Sequence, residues 1–235
     1  FVTCTDENNG IYFVARVAGE GKEFAHYRKK IAPAKLSIDN INEDYIKSAK
    51  IVYASGVTMS LSIQAREAVK KAFEVAKENG ILTAYDPNFS KLLSSEDEAK
   101  EYIAEILPLT DILFISENND IRSLYELESV DQAIKRLTDY GIDTIIVKSS
   151  KDKGYYVNNN QNTLFVPFYT ETTVDTTSSG DAFNGAYLHS ITSGYSPAES
   201  AKIASIAAGL QAQGIGAIKS VPYYDEVFEI YKNGV

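Results

Sequence analysis

A short polar segment holds the residues of this sequence whose types and spacing best suit chemistry. It covers residues 174–186, VDTTSSGDAFNGA, and leads into an alanine-rich stretch. Small residues let a ligand approach the backbone, and the free N–H groups of a first helical turn attract negative charge. Asp181 stands where its carboxylate could accept a proton from an attacking hydroxyl group. The segment therefore predicts a phosphate cradle with a general base at its edge.

A structural role for the same segment is the alternative. Ser178, Ser179 and Asp181 are residue types that cap helix N-termini, because their side-chain oxygens accept hydrogen bonds from unpaired N–H groups. For such a loop alone, capping is the commoner explanation, so the surrounding elements must decide between the two.

Strands and helices alternate through the middle of the chain. Short apolar strands are predicted at 51–54, 81–85, 111–115 and 144–147, and helices at 62–79, 96–107 and 130–140. Hairpins are predicted from 11–16 with 24–28, and from 154–157 with 163–166 around a polar tip at 158–162. Helices at 181–193, 197–212 and 223–232 follow. This order predicts an α/β fold with a parallel sheet covered on both faces, and ligands at the carboxyl ends of its strands.

Composition limits the possible classes of protein. With 235 residues, 44% of them hydrophobic, the chain suits one large α/β domain. The formal net charge of −9 argues against a whole-chain nucleic-acid footprint. A run of eighteen apolar residues, as a membrane helix requires, is absent from the sequence. The single cysteine, Cys4, cannot form an intrachain disulfide, which fits a cytoplasmic protein.

The polar segment resembles the signature of the pfkB, or ribokinase, family of carbohydrate kinases, Asp-Thr-x-Gly-Ala-Gly-Asp-x-Phe. Asp175 to Phe183 match it except that Ser178-Ser179 replace Gly-Ala. Three further stretches resemble family motifs in the family's order: 85–88 (YDPN), 145–148 (IIVK, followed by Gly154) and 210–216. The resemblance implies a ribokinase-like three-layer α/β/α sandwich with a small β lid near 11–29, and a single kinase domain over residues 1–235.

Within that family, the lid region is similar to that of the 2-keto-3-deoxygluconate kinases. The similar stretches are 10–16 (GIYFVAR) and 26–28 (HYR). The resemblance implies that the substrate is bound by Tyr12, His26, Tyr27 and Arg28, together with Asp181. A guanidinium group suits the carboxylate of a sugar acid because it donates two parallel hydrogen bonds.

The resemblance also implies a mechanism, ATP-dependent phosphorylation of a sugar or sugar-acid hydroxyl. Asp181 would be the catalytic base, and the N–H groups of Ser178, Ser179 and Gly180 would form the anion hole. The implied ATP-binding residues are Lys148, Ser150, Gly154, Gly180 and Gly214. Mg²⁺ would be held largely through water, by Asp86, Glu117 and Asp120.

The substrate stays open at this stage. We expect 2-keto-3-deoxygluconate first, with fructose, ribose or a nucleoside as alternatives within the family. Ser90 keeps these alternatives open, since the subgroup usually has an arginine there. A non-catalytic relative that binds a ligand or a partner chain is the alternative from another class.

Two departures from the family pattern motivate the non-catalytic alternative. The N-terminal part of the family fold is missing from the sequence, so a longer protein, a covering chain or a decayed relative is expected. Ser178 would cost on the order of 1 kcal/mol if the loop needs a positive φ there.

The lid strands also predict a homodimer. His189, on a predicted helix, is expected to be a packed or surface residue rather than a catalyst.

Overall fold

The computed structural model describes residues 7–17, 21–28, 31–159, 162–170 and 172–234. The strands are β1 (Ile11–Val17), β2 (Gly21–Tyr27), β3 (Ile51–Ser55), β4 (Leu82–Asp86), β5 (Ile112–Ser116), β6 (Thr144–Ser149), β7 (Gly154–Asn159) and β8 (Asn162–Pro167). The α-helices are α1 (Glu43–Lys47), α2 (Gly56–Met59), α3 (Ile63–Glu78), α4 (Glu96–Ile106), α5 (Val130–Thr138), α6 (Ser179–Thr192), α7 (Pro197–Ala212) and α8 (Tyr224–Lys232). Short 3₁₀ turns lie at Ala32–Lys35, Ile38–Asn40 and Leu107–Leu109, and a π-helix at Glu117–Leu124.

The chain forms two compact units that divide between Thr110 and Asp111. In the first unit, β1 and β2 are antiparallel, with Ile11 opposite Tyr27. This pairing confirms the predicted hairpin, while residues 18–20, between the two strands, lie outside the described residues. β3 and β4 are parallel neighbours, with Ile51 opposite Leu82, as expected for strands joined through a helix.

Helix α3, between these parallel strands, follows directly from its sequence. Ser62 caps it, since its Oγ accepts a hydrogen bond from the N–H of Ala65 at 3.1 Å. Gly80 has a φ of 68°, a left-handed conformation that ends the helix. The residues at helical spacing are buried, namely Ala65, Ala68, Val69, Phe73, Val75 and Ala76. The predicted helix at 62–79 is therefore confirmed.

In the second unit the strand order is β5-β6-β7-β8. β5 and β6 are parallel, whereas β6, β7 and β8 are successively antiparallel. The predicted polar tip at 158–162 is too long, because Asn158, Asn159 and Asn162 belong to the strands. Asn158 donates to Thr163 Oγ1 at 3.0 Å and Asn159 to Thr144 Oγ1 at 2.8 Å. These cross-strand side-chain bonds accommodate residues that usually signal a turn.

Aromatic packing fixes α6 on the strands of the second unit. The ring of Phe183 stacks on Tyr155 of β7 with centroids 3.9 Å apart, and meets Phe114 of β5 edge-on at 6.4 Å. Tyr187, one turn further along α6, also meets Phe114 edge-on, at 5.6 Å. Such contacts add to the free energy gained by burying the rings. The orientation of α6, and therefore of its N-terminus, is set by this cluster.

Across the described ranges, no helix combines the length and the apolar character that crossing a bilayer would require.

Candidate active site

The start of α6 has an unusual backbone. Ser178 immediately precedes the helix with φ 59° and ψ 12°, which is the left-handed region. The loop therefore does need a positive φ at Ser178. A serine has a conformational cost in this region that a glycine would not have. The helix begins at Ser179, two residues earlier than the predicted start at 181.

The capping alternative fails for both serines. Within the described residues, Ser178 makes no side-chain capping hydrogen bond. The hydroxyl of Ser179 is buried and donates instead to the carbonyl of Ala208 at 3.0 Å. The N–H of Ser179 donates to the carbonyl of Thr176 at 3.1 Å. Among the described residues, the N–H groups of Gly180 and Asp181 donate to no backbone carbonyl outside the helix, as is usual for a first helical turn, which leaves donors for a ligand.

Asp175 holds the loop that leads into α6. Its carboxylate is buried and accepts hydrogen bonds with both oxygens. Oδ1 accepts from the N–H and the hydroxyl of Thr177, at 3.0 and 2.7 Å. Oδ2 accepts from the N–H of Gly216 at 3.0 Å, and Gly216 has a φ of 87°. The carboxylate thus joins the loop before α6 to the glycine loop after α7.

Gln211 makes a second link between the same two loops, and sequence reasoning missed it. Its Nε2 donates to the carbonyl of Thr177 at 3.1 Å and to that of Gly216 at 2.8 Å. The side chain is fully buried on an otherwise alanine-rich helix. The one signal in the sequence was a glutamine among the alanines of a buried helix. Because buried polar groups need partners, such a residue indicates a specific hydrogen-bonding role.

Lys148 lies next to the first turn of α6. It is half-buried at the end of β6, and a Cβ atom placed on Gly180 would lie 3.7 Å from its Nζ. The lysine therefore adds positive charge beside the N–H groups of Gly180 and Asp181. Both features favour an anion at this position.

Asp181 itself is exposed at the rim of a pocket of about 530 Å³. The polar side chains of its lining are Ser178, Asp181, His189 and Tyr224, and the rest of the lining is largely apolar. His189 packs edge-on against Tyr224 at 5.5 Å, as expected for a packed or surface residue. Ser178 and Asp181, at the start of α6, supply two of these four polar side chains.

The predicted metal residues Glu117 and Asp120 lie in the π-helix after β5. Glu117 is 2% exposed; its Oε1 accepts from Arg122 and its Oε2 from Ser149, both at 2.5 Å. Burial is the largest single influence on the pKa of Glu117 and would raise it. The hydrogen bonds from Ser149 and Arg122 outweigh burial and hold the pKa below its usual range.

Asp120, in the same π-helix, is bonded to Ser116, the last residue of β5. Its Oδ2 accepts from the N–H and the hydroxyl of Ser116, at 2.7 and 2.8 Å. Asp86, the third predicted metal residue, ends β4 in the other unit and accepts from the N–H of Asn88 at 3.1 Å. In the part of the chain that the structure describes, no three His, Cys, Asp or Glu residues converge to hold a metal directly. The metal assignment stays a prediction.

Two of the predicted ATP-binding glycines are explained by the protein's own packing. A Cβ on Gly154 would lie 2.6 Å from the carbonyl oxygen of Val166, and a Cβ on Gly214 would lie 2.2 Å from Ser220 Oγ. Glycine is therefore required at both positions whether or not a ligand approaches them. Ser150 is exposed, and its hydroxyl accepts from Asn118 Nδ2 at 2.7 Å. Their roles toward ATP stay predictions.

The predicted substrate residues lie on β1 and β2 in the first unit. The guanidinium of Arg28 sits over the ring of Tyr12, 5.7 Å from its centroid, which is within cation–π range. Tyr27 is exposed and meets Phe13 edge-on at 5.8 Å. His26 is opposite Tyr12 in the strand register, and its side chain lies outside the described part of the chain.

Comparison with known proteins places this chain among sugar kinases. Residues 1–223 match the pfkB family of carbohydrate kinases. Fructokinase-1 from Zea mays is 32% identical over 229 residues, covering 93% of this chain and 69% of the relative. A 5-dehydro-2-deoxygluconokinase from Clostridium perfringens is 26% identical over 231 residues, covering 96% and 68%. A 2-dehydro-3-deoxygluconokinase from Thermoproteus tenax is 28% identical over 226 residues, covering 95% and 68%.

The fold agrees with that relationship. A structure of ribokinase II from E. coli superposes with a TM-score of 0.86 at 25% identity, covering 97% of this chain and 72% of the other. The ribokinase-like α/β fold predicted from the sequence is thereby confirmed. This chain belongs to the pfkB family of carbohydrate kinases. It is a sugar kinase, and the relatives, named for different sugars at similar identity, leave its substrate open.

Proposed function

We propose that this kinase transfers the γ-phosphoryl group of ATP to a hydroxyl of a sugar or sugar acid, with Asp181 as the base. The observation that carries the proposal is the open first turn of α6. There, the N–H groups of Gly180 and Asp181 donate to no backbone carbonyl of the described residues, and the Asp181 carboxylate is exposed beside them. A phosphoryl group held at that turn would lie next to the group that activates its acceptor.

Phosphoryl transfer needs positive potential more than covalent chemistry. Lys148, beside Gly180, and the N-terminal end of α6 supply it together. The E. coli ribokinase II that resembles this chain has also been solved in complex with ATP and Mg²⁺, which supports ATP as the co-substrate here. The N–H groups of Ser178, Ser179 and Gly180 remain the proposed anion hole, and the N–H of Asp181 is proposed as a further donor beside them. The N–H of Ser179 must leave Thr176 to take part.

Mg²⁺ would enter as part of the substrate MgATP. Both carboxylate oxygens of Glu117 already accept hydrogen bonds from Arg122 and Ser149. Glu117 therefore fits contact with the ion through water better than direct ligation, and water-mediated binding is common for Mg²⁺. Asp86 and Asp120, which also accept hydrogen bonds from the protein, are proposed to act in the same way.

We propose 2-keto-3-deoxygluconate, also called 2-dehydro-3-deoxygluconate, as the substrate to test first. Arg28 stacked on Tyr12 could hold the carboxylate of a sugar acid, and several relatives are named for sugar acids. Fructose is the second candidate, because the fructokinase from Zea mays is 32% identical to this chain. Arg28→Met separates the two, since it should weaken a sugar acid and spare an uncharged sugar.

The experiment measures ADP release with MgATP and a panel of sugars and sugar acids. Wild-type protein is compared with Arg28→Met and with Asp181→Asn as the inactive reference. Turnover with 2-keto-3-deoxygluconate whose KM rises at least tenfold in Arg28→Met supports the sugar-acid assignment. If the protein instead turns over fructose, and Arg28→Met leaves that turnover unchanged, fructose replaces the sugar acid as the assigned substrate. Folded wild-type protein that releases no ADP with any sugar would contradict the proposal.

We also propose that the kinase is a homodimer through β1 and β2. Ile11, Phe13 and Tyr27 are exposed on these strands at 56%, 63% and 64%. Because side chains alternate along a strand and Ile11 pairs with Tyr27, the three lie on one face. Sedimentation of wild-type protein and Phe13→Glu at micromolar concentration tests this proposal. We expect a dimer that the substitution converts to a monomer, and a monomeric wild type would contradict it.

A further inference from the structure

The side-chain amide of Gln211 occupies a costly position. The residue is fully buried, and its Oε1 has no hydrogen-bond partner among the described residues. An apolar side chain of similar size would avoid the penalty of an unsatisfied buried acceptor. The reason for an amide there must therefore lie in what its Nε2 donors bind. The donors on Nε2 are the feature that an apolar residue could not replace.

One of those donors binds the carbonyl that would otherwise extend α6. In an α-helix the N–H of residue i bonds to the carbonyl of residue i−4, so the natural acceptor for Asp181 N–H is the carbonyl of Thr177. In this structure Gln211 Nε2 donates to that carbonyl at 3.1 Å. The carbonyl is thus engaged away from the helix, while Ser178 turns the backbone into the left-handed region.

The second donor anchors the amide from the other side. Nε2 also donates to the carbonyl of Gly216 at 2.8 Å, and the N–H of Gly216 is bound by Asp175. Asp175 in turn binds Thr177. Gln211 and Asp175 therefore close a ring of hydrogen bonds around the loop from Asp175 to Gly180. Loss of either would free the Thr177 carbonyl or the loop that supports it.

We propose that Gln211 is a positioning residue for phosphoryl transfer. It keeps the Thr177 carbonyl out of the first turn of α6, so that the N–H groups of Gly180 and Asp181 stay directed at the transferred phosphoryl group. This inference rests on the proposed function, in which that turn binds the phosphoryl group. Small misplacements of such donors lower rate strongly, because they act mainly in the transition state.

Gln211→Leu removes both donors at similar volume. The matched control is Gln213→Leu, because Gln213 is exposed, lies two residues further on and donates to Thr170 Oγ1 at 3.1 Å. We expect kcat of Gln211→Leu to fall about 10- to 100-fold while the KM for the sugar stays within about twofold. Amide hydrogen exchange of the peptide 174–185 should become faster in Gln211→Leu than in Gln213→Leu. Exchange in β5 and β6 should stay the same.

The two readouts separate the inference from the function on which it rests. If wild-type protein turns over sugar but Gln211→Leu matches Gln213→Leu in both kcat and exchange, the inference is overturned and the proposed function stands. Faster exchange without any wild-type turnover would support the role in the loop and overturn the proposed function. A fall in kcat that only follows the fraction of unfolded protein would indicate a structural role and overturn the inference. Should Gln211→Leu not fold, Gln211→Met replaces it, because methionine also lacks a donor and adapts better to a buried site, with the same expected directions.

Discussion

Two helices that follow one another in the chain begin in opposite ways. At the start of α7, Ser196 Oγ accepts from the N–H of Glu199 at 3.3 Å, and Glu199 Oε2 accepts from the N–H of Ser196 at 3.0 Å. This reciprocal capping satisfies two N–H groups at the start of the helix, those of Ser196 and Glu199. At the start of α6, Ser178 is left-handed and, within the described chain, makes no side-chain capping bond. One N-terminus is closed by its own side chains, and the other is open to a ligand.

The difference shows where the molecule accepts a local cost. Capped helix starts recur at Ser62, Ser95 and Ser129, each of whose Oγ accepts an N–H from the first turn. At α6 the same stabilisation is given up, and hydrogen bonds from Asp175 and Gln211 hold the loop instead. Strained backbone and unsatisfied donors cluster at functional sites. The contrast therefore points to α6, and not α7, as the turn that binds the phosphoryl group.

The largest expected effect comes from changing the acid in each first turn. Asp181→Asn should lower kcat by about 10²- to 10⁴-fold, because the amide cannot accept the proton of the attacking hydroxyl. Glu199→Gln, the equivalent change on α7, should leave kcat within twofold. Steady-state ADP release measures both variants, and thermal unfolding checks that Asp181→Asn remains folded. An equal loss of kcat in the two variants would remove the distinction between the helices.

The next effect concerns the positive charge beside α6. Lys148→Met should lower kcat/KM for ATP by about 10- to 100-fold, since a hydrogen bond to a charged group contributes about 1.5–3 kcal/mol. Lys202 is exposed on α7, far from Lys148 in the sequence. Lys202→Met removes the same charge and therefore controls for the change in net charge. ADP release over a range of ATP concentrations gives both values. Similar kcat/KM values in the two variants would show that Lys148 does not contact the nucleotide.

A smaller effect is expected on stability, with opposite signs at the two helices. Ser178→Gly relieves a left-handed serine and should raise the free energy of unfolding by up to about 1 kcal/mol. Ser196→Ala removes a cap and should lower it by about 1 kcal/mol. For a chain of this size each change corresponds to roughly 2–4 °C in Tm. Calorimetry that finds Ser178→Gly destabilising would contradict the strain assigned to that residue.

The smallest expected effect is on the pH dependence of stability, and it comes from the buried carboxylate of Glu117. The pKa of Glu117 is lower in the folded protein than its reference value of 4.5, so its ionised form stabilises the fold. That contribution is complete above the reference pKa and is lost as pH falls through the folded pKa. Between about pH 5 and 3 the Tm of wild-type protein should therefore fall more steeply than that of Glu117→Gln. Parallel Tm curves for the two proteins would mean that the pKa of Glu117 is not lowered.

Local signals predicted most elements but only part of the site. Helix α3 was readable because its cap, its apolar spacing and Gly80 all agree. The positive φ at Ser178 could be raised only as a condition, because a backbone angle is fixed by surrounding contacts. The strands of the Asn-rich hairpin were predicted too short. Asn158 and Asn159 bond to side chains of neighbouring strands, and the local sequence does not show such partners.

Two further residues needed the three-dimensional structure. Arg122 pairs with Glu117 five residues earlier, a spacing that meets on one face of a π-helix but not of an α-helix. Gln211 bonds to carbonyls 34 and 5 residues away, and sequence spacing gives no sign of such contacts. Features that depend on tertiary partners were therefore the ones that sequence reasoning missed.

The most direct test of the open N-terminus compares backbone amide resonances at the two helix starts. MgATP would be titrated into isotope-labelled protein, and the shifts of Gly180 and Asp181 compared with those of Ala198 and Glu199. We predict large, saturable shifts for the pair on α6 and little change for the pair on α7, whose first turn is closed by its own cap. Equal shifts at both helices, or shifts at α7 alone, would contradict the assignment of α6 as the phosphoryl-binding turn.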